Sequence, residues 1–305
     1  MHVFVTGASG HIGLPVVREL LAAGHTVLGL ARSDASAAKV TSAGAEALRA
    51  SLDDLGALGD AARSADGVVH LAFKHDLALT GGDFMGALSA DVRAVRAIGE
   101  ALAGTGKPFV NTSGTMLLAH SVHGRPGTEE DRSEEGGNPR VASENAGLAF
   151  AERGVRASVV RLAPTVHGPL DLHGFVPMLV AQARKNGFAA YVDDGAARWP
   201  AVQTLDAADL FRRALEAAPA GARLHGAAEE GVPFRAIAEA IGGGLGLPTR
   251  SIPAEMAPEV LGGFVGMMAR LDNPTSSART RELLGWRPSR PGLLEDLAAG
   301  HYFAA

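Results

Sequence analysis

The segment Thr6-Gly7-Ala8-Ser9-Gly10-His11-Ile12-Gly13 constrains the fold more than any other part of the chain. It follows an apolar, β-type run at 2–6 and opens a helical pattern over 14–23 that stops at Gly24. A glycine triplet alone is a weak signal, but one set between a strand and a helix reads as a dinucleotide cradle. Gly7 permits the tight turn, Gly10 lets a pyrophosphate approach the backbone, and Gly13 lets helix and strand pack closely. The helix N-terminus offers free N–H groups and a positive dipole end to the phosphates. Gly7, Ser9, Gly10, His11 and Ile12 are therefore the first cofactor-binding candidates. The alternative is a glycine-rich turn with a structural role only.

The rest of the first half repeats the rhythm. Strand-like runs at 26–30, 45–50, 67–71, 108–112 and 157–162 alternate with helical patterns at 54–64, 83–103 and 142–153. Such alternation predicts an α/β fold, a doubly wound parallel sheet with helices on both faces. After Pro164 the pattern turns irregular and rich in Pro, Gly and His. We expect a cofactor domain over 1–165 and a smaller C-terminal substrate lobe over 166–305. A helix at 206–218 and a strand at 223–225 place 203–228 back on the first domain.

The end of the second strand distinguishes the two nicotinamide dinucleotides. An NAD site usually carries Asp or Glu there. This chain carries Arg32 and Ser33, which suit a 2′-phosphate through charge-assisted hydrogen bonds. NADP(H) is the expected cofactor, unless Arg32 is only a solvated surface charge. Leu52 and Asp53 follow the third strand, where Asp53 can meet the adenine amino group, cap the next helix, or both. Leu71, Ala72 and Phe73 end the fourth strand and would line the nicotinamide ribose.

Composition removes several classes. The chain has 305 residues and no cysteine, so disulfides, thiolate catalysis and cysteine-held zinc are excluded. A net charge of −5 argues against a general nucleic-acid binder. No His-Glu-x-x-His spacing occurs, and no metal is expected. No basic n-region precedes an apolar segment, and no run approaches a membrane span. The expectation is a soluble cytoplasmic protein that binds no membrane.

The sequence resembles the extended or atypical short-chain dehydrogenases/reductases, particularly their epimerase/dehydratase branch. The resemblance rests on TGASGHIG, Asp53, His70-Leu71-Ala72, Asn111-Thr112-Ser113, the run Arg161-Leu162-Ala163-Pro164-Thr165-Val166-His167-Gly168-Pro169, and Leu284-Gly285-Trp286-Arg287-Pro288. It implies a Rossmann-type fold, a nicotinamide cofactor and hydride transfer. It also places Pro164, Thr165 and Val166 against the nicotinamide. Ser113 takes the family's catalytic Ser position. The family's Tyr-x-x-x-Lys pair is replaced: Arg140 stands at the Tyr position and Glu144 at the Lys position. Arginine does not give up its proton. The pair reads either as an ordinary i,i+4 helix ion pair or as an Arg140 that binds a substrate carboxylate or carbonyl while Glu144 orients it.

Another proton donor is then needed. His75, after the fourth strand, titrates near neutrality and is the candidate general acid, or else a surface-loop residue. His167 and His173 in the crossover loop, His120 and His123 after Ser113, and Tyr191 are further candidates. Phe175 and Trp199 form either a cleft wall or core. The leading expectation is an NADP-dependent oxidoreductase acting on a small or medium organic carbonyl, imine or alcohol. The alternatives are a nicotinamide-dependent epimerase or dehydratase of a sugar-like substrate and a non-catalytic NADP-binding regulator. A homodimer through the 83–103 and 142–153 helices and a monomer are both compatible with the sequence.

Overall fold

The computed structural model describes residues 1–80, 82–133 and 138–304. The chain opens with β1 (His2–Thr6), α1 (Gly13–Ala22), β2 (Thr26–Ala31), α2 (Asp34–Ser42), β3 (Glu46–Arg49), α3 (Leu55–Ser64) and β4 (Gly67–His70). It continues through α4 (Phe84–Leu102), β5 (Pro108–Gly114), α5 (Val141–Leu148) and β6 (Arg156–Leu162). Six of these strands and a later one, β10 (Arg223–Gly226), form a seven-stranded sheet in the order β10-β6-β5-β4-β1-β2-β3. Every pairing in it is parallel. The order reverses between β1 and β4, and ligands of open parallel sheets bind outside the strands' carboxyl ends at such a switch point. This is the Rossmann-type arrangement that the alternating pattern predicts.

The central strands are apolar throughout because both faces are covered. Val3, Val5, Val69 and Val110 face one layer, where α1 packs against α7 (Thr204–Ala217) through Val16, Val17, Leu20, Leu210 and Phe211. Phe4, Val68 and Phe109 face the other, with Leu58, Val95, Ile98 and Phe150. Helix α2 is absent from the sequence-based expectation. It is short of apolar residues, burying only Val40, and is started by Ser33, whose hydroxyl accepts the Ser36 N–H at 3.2 Å.

Beyond β6 come β7 (Thr165–His167), α6 (Phe175–Asn186), β8 (Ala189–Val192) and β9 (Arg198–Gln203). After β10 follow β11 (Glu229–Pro233), α8 (Phe234–Leu245), β12 (Thr249–Ile252), α9 (Ala257–Val260), α10 (Gly263–Met268), α11 (Ala278–Leu284) and α12 (Leu293–Ala298). Strands β11, β9 and β7 form one small sheet, and β12 pairs with β8. A second core gathers here around Trp199, Phe234, Ile237 and Leu293. Among the described residues no helix is long and apolar enough to cross a membrane.

Candidate functional site

The glycine turn has the shape its sequence requires. Gly7 has φ +68°, and a Cβ there would lie 2.8 Å from the Ala72 nitrogen. A Cβ on Gly13 would lie 2.0 Å from the Gly7 carbonyl oxygen, so only glycine allows this close approach. Gly10 differs: it is exposed, and a Cβ there would meet only the Gly7 oxygen, at 3.2 Å. Its outward side is open to a ligand. Among the described residues, the N–H groups of His11 and Ile12 find no acceptor. The residues present therefore fit the pyrophosphate of a dinucleotide.

Thr6 fastens this turn to the end of β4. Its hydroxyl accepts the N–H groups of Leu71 and Ala72 at 3.1 and 3.2 Å. It lies 2.9 Å from His70 Nδ1, while His70 Nε2 lies 3.1 Å from Asp91 Oδ1. With Nε2–H donating to the carboxylate, Nδ1 accepts the Thr6 proton, and every bond in the chain is satisfied by a neutral imidazole. The backbone of Leu71 and Ala72 is thus held beside Gly7. Phe73 follows with its ring half-buried.

At the end of β2, Arg32 and Ser33 are exposed. Arg32 Nη1 donates to Asp76 at 2.7 Å, and Ser33 caps α2. Arg49, at the end of β3, donates to the Ala31 carbonyl at 3.1 Å and pairs with Asp34 at 3.2 Å. It adds a second cation that the sequence reading missed. Leu52 is buried in the core. Asp53 does not cap α3, as one reading expected; Asp54 occupies that position. Asp53 instead pairs with Lys74 at 2.5 Å and Arg93 at 3.5 Å.

The structure corrects the expected ion pair between Arg140 and Glu144. The Glu144 carboxylate is buried and receives Arg161 through Nη2 at 2.6 Å and Nε at 2.9 Å, with Arg223 Nε at 3.1 Å. Burial pushes its pKa up, but Arg161 outweighs this and the net direction is down. Glu144 therefore stays ionised and is no proton donor at neutral pH. Arg161 lies opposite Ser113 in the β5–β6 register and also donates to the Asp131 carbonyl at 2.9 Å. The sequence could have flagged it: a charged residue inside an apolar central strand needs a buried partner.

Ser113 is 6% exposed; its hydroxyl makes no well-formed hydrogen bond among the described residues, but it neighbours the Glu144 carboxylate and helps hold that group ionised. Arg140 turns away from Glu144. Its guanidinium lies 4.2 Å above the Phe73 ring. Burial lowers its pKa, and Asp91 opposes this without a direct bond. His75 is exposed as a whole and stands edge-on to Phe73, 5.2 Å between centroids. Desolvation of its ring, then the Arg140 charge, lower its pKa, so at pH 7 it is a neutral imidazole.

The crossover segment carries contacts that the sequence did not reveal. Pro164 is half-buried and Val166 is buried. Thr165 is buried and donates to the Pro200 carbonyl at 2.6 Å. His167 Nδ1 lies 2.8 Å from Asp296, and its backbone carbonyl accepts the Thr204 hydroxyl at 2.8 Å. His11 turns its ring out of the glycine turn, with Nε2 2.6 Å from the same Thr204 hydroxyl and Nδ1 3.6 Å from Asp171. Asp171 accepts the Tyr302 hydroxyl at 3.2 Å, and that hydroxyl accepts the Gly168 N–H at 2.9 Å. Burial pushes Asp171 up to about 6 and His11 down to about 4, with His167 adding to the latter. No local signal links residues so far apart in the chain.

The remaining candidates are scattered. His120, His123 and His173 are exposed. Tyr191 is half-buried in β8 beneath Arg235. Trp199 is fully buried and packs on Phe175 and Phe234, which is a core role.

The sequence model of the NAD dependent epimerase/dehydratase family matches residues 3–225. The chain belongs to this family. A Schizosaccharomyces pombe protein described as uncharacterized is 45% identical over 303 residues, covering 99% of this chain and 100% of that one. The 2′-dehydrokanamycin reductase of Streptomyces kanamyceticus is 30% identical over 271 residues, 86% of this chain and 72% of that one. Among solved structures, a dTDP-glucose 4,6-dehydratase from Streptomyces venezuelae with NAD bound superposes with a TM-score of 0.79 at 19% identity, covering 99% and 96% of the two chains. Like this epimerase/dehydratase-family chain, that structure has the sheet and appended lobe, and the likeness extends to fold alone.

Proposed function

We propose that the protein is an NADP-dependent oxidoreductase that transfers a hydride between nicotinamide and a small or medium organic carbonyl, imine or alcohol. The carrying observation is the Ser113 hydroxyl: buried beside the Glu144 carboxylate, without a well-formed hydrogen bond among the described residues, and at the carboxyl end of β5, two strands from the glycine turn. Ligands of open parallel sheets bind outside the strands' carboxyl ends, so this hydroxyl stands where a substrate oxygen would lie. A bound nicotinamide supplies the hydride.

The chain's own groups do the rest. Gly7, Ser9, Gly10, His11 and Ile12 cradle the pyrophosphate. Arg32 and Ser33, with Arg49 behind them, meet the 2′-phosphate. Leu52 and Asp53 border the adenine, and Leu71, Ala72, Phe73, Pro164, Thr165 and Val166 border the nicotinamide riboside. Ser113 hydrogen-bonds the reacting oxygen, and Arg140 fixes the substrate. His75 exchanges the proton; being neutral at pH 7, it accepts one during alcohol oxidation more readily than it donates one. Glu144 is a positioning residue that acts through Arg161. In this reading residues 1–165 and 203–228 hold the cofactor, and the rest of 166–305 covers the substrate. The reductase relative supports the oxidoreductase class.

Calorimetric titration with NADPH and NADH, followed by a carbonyl and imine screen read by cofactor absorbance, tests the proposal. Tight NADPH binding, weak NADH binding and turnover are expected; binding of neither cofactor overturns it. Loss of the Tyr/Lys pair favours one second reading, a non-catalytic NADP-binding regulator, which predicts binding without turnover of any substrate.

A further inference from the structure

We propose that the substrate carries a carboxylate, held by Arg140, on an apolar and preferably aromatic body that lies along Phe73, Phe84 and Phe264. This rests on the reading of Arg140 as a substrate-fixing residue and narrows it to a chemical class: 2-oxo acids, 2-hydroxy acids and the corresponding imino acids.

The first observation is a cation that makes no direct ion pair among the described residues. The Arg140 guanidinium is packed against Phe73 and forms no ion pair with any described residue. The carboxylate whose field it feels belongs to Asp91, whose Oδ1 is taken by His70 and whose Oδ2 makes no well-formed hydrogen bond among the described residues; no direct bond joins it to Arg140. Glu144, one turn along the same helix, is committed to Arg161 and Arg223. Stacking on an aromatic face compensates a desolvated guanidinium only in part. Its planar fork of N–H donors meets no acceptor among the described residues, and such a fork matches a carboxylate through two parallel hydrogen bonds.

The second observation is independent. Four half-buried phenylalanines run from just past the carboxyl end of β4 into the second lobe. The Phe73 and Phe84 centroids are 6.2 Å apart, Phe84 stacks on Phe264 at 6.4 Å, and Phe264 stacks on Phe175 at 5.9 Å. Core phenylalanines of this chain, such as Phe4, Phe109, Phe211 and Phe234, are wholly buried. The row starts at the ring beneath Arg140, so an apolar wall adjoins a cation with no direct ion pair among the described residues. A ligand matching both has an anionic head and an apolar body. Ser113, at the neighbouring strand end, then meets an oxygen one carbon from the carboxylate.

The test is calorimetry on the full-length protein with phenyllactate, 2-hydroxyhexanoate, methyl phenyllactate and phenyl phosphate, each without cofactor and with NADP⁺. Phenyllactate is expected to bind at least tenfold more tightly than its methyl ester and than phenyl phosphate. Arg140→Ala should erase the preference over the ester, and Arg140→Lys should restore part of it. Phe264→Ala should weaken phenyllactate more than 2-hydroxyhexanoate. Equal binding of acid and ester, stronger binding of phenyl phosphate, or binding of neither acid overturns the inference. The ester comparison needs no variant, so it stands even if Arg140→Ala fails to fold. Acid binding without NADP binding would sink the proposed function alone; NADP binding without acid binding would sink this inference alone.

Discussion

The Glu144 carboxylate receives two hydrogen bonds from Arg161, at 2.6 and 2.9 Å. The pair is buried, and Arg223 adds a third hydrogen bond at 3.1 Å. Breaking such a buried pair from one side leaves the other charge stranded. Glu144→Ala should therefore lower stability by about 3–5 kcal/mol. Urea denaturation checks this; a change under about 0.5 kcal/mol would show that Arg223 or water takes over.

Replacing Arg32 with alanine should weaken NADPH binding by roughly tenfold to a hundredfold, the range for one charge-assisted contact. NADH binding should change little. Calorimetry with both cofactors decides, and equal losses would remove Arg32 from the 2′-phosphate site.

Ser113→Ala should reduce kcat by about tenfold to a thousandfold, in line with loss of one donor at a developing oxyanion. Its dissociation constant for NADPH should be unchanged. An unaltered kcat in steady-state assays would take the hydroxyl out of the chemistry.

Asp171 gives a pH signature. Its folded pKa, about 6, lies above the ordinary carboxylate value of 3.8. The folded state thus holds its proton more tightly, and this contribution is full below about pH 3.8 and lost as pH rises through about 6. Asp171→Asn removes that loss. The stability of the variant minus that of the native protein should climb between pH 4 and 6.5, measured as urea midpoints. A pH-independent difference would mean the carboxyl is not shielded from water.

Much of this was legible before any coordinates. The sheet could be read because each strand is a short apolar run ended by glycine or a polar residue, and the turn because Gly7 and Gly13 admit no side chain. Helix α2 was not legible, since a solvated Ala- and Ser-rich segment carries little periodicity. At the site, the resemblance pointed to Ser113, Arg140 and Glu144, but not to Arg161, which holds Glu144. Spacing suggested that Arg140 would meet Glu144 four residues on, yet a partner across the sheet was nearer in space. The His11, Thr204 and Asp171 contacts join three separate stretches of chain and leave no local trace.

Helix α1 lays Val16, Val17 and Leu20 against α7, and His11 reaches Thr204 across 193 residues. A ribosome that has just made the nucleotide turn is far from making the helix that roofs it. Until then the emerging first βα unit shows an oily flank to water. Folding of the first motif synthesised must wait for the middle of the message, and slow translation before residue 204 should prolong the time this nascent chain depends on chaperones.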